Sequence, residues 1–136
     1  MRMPEIAAND GPQHFVHSKT MCWTAVDRGV RLAEACMRQA PVRRWKRTAN
    51  DIKEAIEANG YDADRGIYVR SFGATDVDAS LLLLPTFGYV DYDDERMVRT
   101  TEAIRVDLDD NGLLLRYRSH DTAALALSRG PDQRTQ

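Results

Sequence analysis

A dominant sign of charge, a long apolar run and a cysteine framework are all missing from this sequence of 136 residues. Lys and Arg number 19 against 21 Asp and Glu, a net charge of −2. No global field therefore draws the chain onto nucleic acid or an anionic membrane, and neither is expected as a partner. No apolar stretch approaches the roughly 18 residues that span a bilayer, and the opening "MRMPEIAAND" lacks the apolar centre of a signal peptide. A cytoplasmic protein is expected. Cys22 and Cys36 are fourteen positions apart, which in one helix is about 21 Å, too far for a disulfide. There is also no glycine-rich phosphate loop and no GxSxG nucleophile elbow.

What is present is helical patterning at the length of one domain, with 43% hydrophobic residues to supply a modest core. From Ser18 to Gln39, Cys22, Trp23, Val26, Val30, Ala33 and Met37 recur at three- and four-residue steps. Thr24, Asp27, Arg31, Glu34 and Arg38 fall opposite them. This predicts a helix capped by Ser18 and ended by Pro41, with Cys22 and Trp23 facing the core and Thr24 on the polar side. A second helix carries Trp45, Ala49, Ile52 and Ile56 on one face and stops at Asn59 and Gly60.

Residues 61–73 read as a loop with one extended piece. "TDVDASLLLLP" predicts a short helix buried all round, capped by Thr75 or Asp76 and closed by Pro85. Another helix begins near Asp93, places Met97, Thr101, Ile104 and Leu108 in one stripe, and ends before a turn at Asn111 and Gly112. Beyond Asp121 the pattern degrades, so residues 122–136 are expected to be a polar tail.

Three chemical constellations stand out. His14 and His17 are three apart, as two ligands on one helical turn would be, but no third ligand has suitable spacing and no metal is expected. "DLDDNG" from Asp107 resembles the start of a calcium loop, yet Arg118 occupies the position that must supply a bidentate carboxylate. Cys22 with a histidine would make a nucleophile pair in principle, but a cysteine expected on the core side of its helix reads as inert packing.

In order along the chain, "QHFVHSKTMCWTAVDRGVRLAE", "GIYVRSFG", "DASLLLLP" and "NGLLLRYR" resemble the successive landmarks of glycoside hydrolase family 15, the bacterial glucoamylase and trehalase-like enzymes. The resemblance implies an all-α fold, part of an (α/α)6 toroid of antiparallel helix pairs with short loops. It implies inverting cleavage of α-glucosidic bonds without a cofactor, and an α-glucoside or oligosaccharide as partner. It covers residues 1–121 as a partial catalytic domain and only the middle of a family protein. A fragment or truncated paralogue, inactive alone, is therefore expected, with self-association through apolar helix faces left without neighbours.

Inversion needs a carboxylic acid and a carboxylate base on opposite sides of the scissile bond. By resemblance Glu5 stands near the family's general acid, with a proline where the family has tryptophan. The base is a glutamate following the arginine-tyrosine motif, and no glutamate occurs after Glu102. Arg116 and Tyr117 would bind sugar hydroxyls, Arg116 being otherwise a surface arginine pairing with Asp109 or Asp110. His17 and Lys19 would lie at the cleft. The alternative is a small helical protein-interaction module without catalysis.

Overall fold

The computed structural model describes residues 13–118, so Glu5 and the expected tail at 122–136 lie outside the described residues. The order is α1 (Val16–Ala35), α2 (Val42–Asn59), β1 (Tyr61–Asp62), β2 (Ile67–Tyr68), a 3₁₀ helix (Ala79–Leu83), α3 (Glu95–Leu108), β3 (Asp109–Asp110) and β4 (Leu113–Leu114). The fold is mostly helical, with two short antiparallel hairpins where the sequence predicts none. Among the described residues no helix is long and apolar enough to cross a membrane.

The first helix starts at Val16, two residues before the expected cap. Its N-cap is Phe15, which makes no side-chain cap bond. A neighbouring loop replaces the cap: the Val16 N–H donates to the Arg70 carbonyl at 3.0 Å and the Phe72 N–H to that of His14 at 3.0 Å. The Arg70 carbonyl thus satisfies the first orphan donor of the helix, while the His14 carbonyl is satisfied by Phe72, and Ser18 becomes an exposed first-turn residue.

The buried face is Val16, Thr20, Val30 and Ala33, with Trp23 packed against the core. Cys22 is exposed, against expectation. So is Met37, because the helix ends at Ala35 and Met37 turns left-handed at φ 51°. The Arg38 N–H then reaches back to the Ala33 carbonyl and the Met37 N–H to that of Glu34, which closes the helix in a Schellman arrangement.

α1 and α2 form one antiparallel pair. At the end near their connection Lys46 bridges Glu34 at 2.7 Å. At the other end a Cβ on Gly60 would stand 2.6 Å from a Val16 methyl. The stop signal therefore works differently from the usual left-handed glycine: Gly60 has φ −105°, and what it supplies is close approach. Trp45, Ala49, Ile52 and Ile56 lie on the inward face as predicted, Ile56 fully buried and the other three half-buried.

The leucine run is a 3₁₀ helix capped by Asp78, which accepts from the Ser80 N–H at 2.8 Å. Three residues per turn put Leu81 and Leu84 on one side. Those two are fully buried, whereas Leu83 is 42% exposed, so the segment is not buried all round. α3 is capped by Asp94. Its buried stripe is Met97, Thr100, Ile104 and Leu108, and Thr101 is exposed. Thr100 takes the inner place because its Oγ1 donates to the Arg96 carbonyl at 2.7 Å and accepts from the Tyr68 N–H at 2.9 Å. Asn111 and Gly112, both at positive φ, make the predicted turn between β3 and β4.

Candidate active-site cleft

The backbone bonds that replace the α1 cap also gather the polar residues of a cleft. Phe15, His17 and Ser18 enter it from the start of α1, Asp78 and Ser80 from the start of the 3₁₀ helix. Arg70 comes from the segment after β2, and Arg116 and Tyr117 from the segment after β4. The Arg70 N–H donates to the Asp76 carbonyl at 2.8 Å and the Ala79 N–H to the Arg116 carbonyl at 2.7 Å, tying these segments together. The cleft encloses about 300 Å³, the lower end of small-molecule sites.

Arg70 is its central charge. The guanidinium lies 4.5 Å from the centre of the Tyr117 ring and 5.5 Å from that of Phe15, within cation–π range of both. Its Nη1 is 3.5 Å from an Asp76 carboxylate oxygen, and its Nε is 3.9 Å from Asp78 Oδ2. That Nε is buried without a hydrogen-bond partner among the described residues. Asp78 itself is 6% exposed. A carboxylate, two guanidinium groups and two aromatic faces can bind a neutral ligand rich in hydroxyl groups: acceptor and donors serve the hydroxyls, and the rings serve apolar C–H faces.

Of the residues singled out from sequence, the structure brings His17, Arg116 and Tyr117 together in this cleft, and Lys19 is not among its lining residues. His14 and His17 diverge, His14 packing on Phe72 at 5.7 Å and His17 on Phe87 at 5.6 Å between ring centres. Among the described residues no group of three metal-ligating side chains converges. Arg70, Asp78, Phe15 and Ser80 were missed. A signal existed for Arg70, since a charge inside the apolar run "GIYVRSFG" must find a counter-charge when that run is buried.

Two other features compete for attention. A cavity of about 320 Å³ lies between Asp76, Val106 and Arg118, but the Arg118 guanidinium is spent there on the carbonyls of Asp107 and Asp109. The second is a cluster around Glu57. Its Oε1 accepts from Tyr89 Oη at 2.7 Å and Tyr68 Oη at 3.0 Å, and its Oε2 from Arg96 Nη1 at 3.1 Å. Burial, then the adjacent Glu57 carboxylate, pushes the Tyr68 phenol far above its ordinary range. The same two causes raise Tyr89. The Arg96 guanidinium hydrogen-bonds Asp94 and holds that carboxyl below the usual carboxylate range. These partners satisfy one another, so the cluster is a structural knot joining α2, β2 and α3.

The model of the family "Glycosyl hydrolases family 15" matches residues 5–129 of this chain. The trehalase of Mycobacterium tuberculosis is 42% identical over 111 residues, which are 82% of this chain and 16% of that protein. The trehalase of Thermoplasma volcanium is 34% identical over 111 residues, 81% of this chain and 18% of that protein. A solved glycosidase variant in complex with glucose superposes with a TM-score of 0.67 at 26% identity, covering 77% of this chain and 28% of that one. The chain thus spans under a fifth of the length of these curated relatives.

Proposed function

Because the chain belongs to glycosyl hydrolases family 15, we propose that it is part of an inverting α-glycosidase, with trehalose the first α-glucoside to test. The observation that carries this reading is the convergence of His17, Arg116 and Tyr117, from two distant stretches of sequence, on one cleft with Arg70 and Asp78. In this reading Arg116 and Tyr117 donate to sugar hydroxyls, and His17 edges the ring site, with Lys19 outside the lining. The antiparallel pair α1 and α2 is one unit of an (α/α)6 toroid, residues 1–121 being the catalytic-domain portion and 122–136 a divergent tail. Similarity to named trehalases and glycosidases does not favour the interaction-module alternative.

Glu5 serves as the general acid. Inversion also needs a carboxylate that activates water on the opposite face of the sugar, and no glutamate follows Glu102. The isolated chain should therefore bind α-glucosides without hydrolysing them. A coupled glucose assay with trehalose or maltose should stay at background. Turnover that Glu5→Gln abolishes would overturn the expectation.

Self-association through apolar side chains belongs to the same reading. The leucine run packs mainly within the chain, while Leu32, Met37, Val106 and Leu113 are each more than half exposed. Burying such side chains against a second copy removes apolar area from water. Sedimentation velocity should show a weight that rises with concentration across the micromolar range, and a monomer at every concentration would refute it.

A further inference from the structure

We propose that Asp78, held in place by Arg70, is the residue that reads sugar hydroxyls in the cleft; this rests on the glycosidase reading and names a specificity residue within it. Asp78 Oδ1 is engaged by the Ser80 N–H at 2.8 Å. Its Oδ2 accepts no hydrogen bond among the described residues, and the nearest cationic donor, Arg70 Nε, stands at 3.9 Å, beyond hydrogen-bonding range. The two groups form a side-by-side pair, an acceptor with a free lone pair and a buried donor with no acceptor.

A purely structural ion pair would close this gap, since an unmade buried hydrogen bond costs on the order of 1 to 3 kcal/mol. Arg70 is kept from closing it by its other contacts. The Tyr117 and Phe15 rings lie within 4.5 and 5.5 Å of its guanidinium, and Asp76 holds Nη1 at 3.5 Å. Arg70 thus acts as a positioning residue: it keeps a counter-charge beside the buried Asp78 side chain without occupying Oδ2.

The chemistry of the cleft restricts what fills that vacancy. An anion, though drawn by Arg70 and Arg116, brings no donor to Asp78 Oδ2, a cation would be repelled by the two arginines, and an apolar ligand would leave the carboxylate desolvated. A neutral hexose supplies a hydroxyl donor to Oδ2 in a charge-assisted bond, with its C–H face against Tyr117 or Phe15.

The test is an NMR titration of the full chain with glucose and its monodeoxy analogues. Wild type should bind at least one deoxyglucose about ten-fold or more weakly than glucose, because a site built around a hydroxyl rejects the analogue lacking it. In Asp78→Asn, which keeps an acceptor for the Ser80 N–H, the preference should fall to within about two-fold while affinity for that deoxy sugar stays unchanged. Asp78→Ser, also a competent cap, should behave likewise. Arg70→Met should reduce the preference in the same way. An Asp78→Asn chain that keeps the wild-type preference overturns this inference alone. Failure of wild type to bind any of the sugars overturns it together with the glycosidase reading.

Discussion

Glu57→Ala should lower the stability of the chain by about 3 to 4 kcal/mol, a large part of the margin on which a domain of this size folds. Two phenols lose their acceptor at once. Tyr68 and Tyr89 are 0% and 5% exposed, and both direct their hydroxyls to the same Glu57 oxygen, at 3.0 and 2.7 Å. A hydrogen bond to a charged group contributes about 1.5 to 3 kcal/mol. The low end applies to each here, because the Glu57 side chain is 29% exposed and water can enter where it is removed. The ion pair with Arg96 adds no more than about 1 kcal/mol, since its members are one-third exposed and Arg96 keeps Asp94. Urea denaturation measures the loss. Tyr68→Phe and Tyr89→Phe together should remove most of the penalty of a subsequent Glu57→Ala, because no orphaned hydroxyl remains. A loss below about 1 kcal/mol for Glu57→Ala alone would show that the knot is not what joins α2 to α3.

That knot was invisible in the sequence, and the reason is physical. Glu57 lies at the end of α2 on a face that periodicity assigns to solvent, and its partners are 11, 32 and 39 residues away. Helical spacing reports which side of an element is apolar. It carries no information on which distant hydroxyls meet a carboxylate. The elements themselves were largely legible: α2 with its inward face, the turn at Asn111 and Gly112, and the cap region of α3 all lie where apolar spacing and turn chemistry place them. Hairpins of two residues per strand are too short for an alternating pattern to register.

The cleft was legible in part. His17, Arg116 and Tyr117 were found through family landmarks, and they converge. Arg70 and Asp78 sit inside two of the same landmarks, but their pairing depends on the loop from Ser71 to Val77 folding back, so that Arg70 bonds Asp76 and the start of α1. The displaced cap has the same origin. Ser18 was the reasonable N-cap for an isolated helix, and the backbone of Arg70 made a side-chain cap unnecessary.

The phase of α1 was legible only approximately, and mutagenesis separates the two versions of it. Trp23 packs edge-on against Tyr89, ring centres 5.2 Å apart at 88°, as part of the core margin. Truncating a buried tryptophan costs about 3 to 5 kcal/mol. Trp23 is half-buried, so Trp23→Ala should cost about 3 kcal/mol, with the aromatic pair contributing on the order of 1 of these. Both versions of the helix agree on that. They differ at Thr24 and Cys22. Sequence spacing puts Thr24 on the polar side, where alanine should change stability by about 0.5 kcal/mol or less, and Cys22 in the core. In the structure Thr24 is half-buried and its Oγ1 donates to the Phe87 carbonyl at 3.2 Å, fastening α1 to the turn after the 3₁₀ helix. Thr24→Ala should therefore cost about 1 kcal/mol. Cys22→Ala, at an exposed position, should stay within about 0.5 kcal/mol of wild type. If denaturant titration ranked Cys22→Ala as the more damaging of these two, the helix would be rotated from the phase described. His17, six residues before Trp23 on the same helix, would then turn out of the cleft.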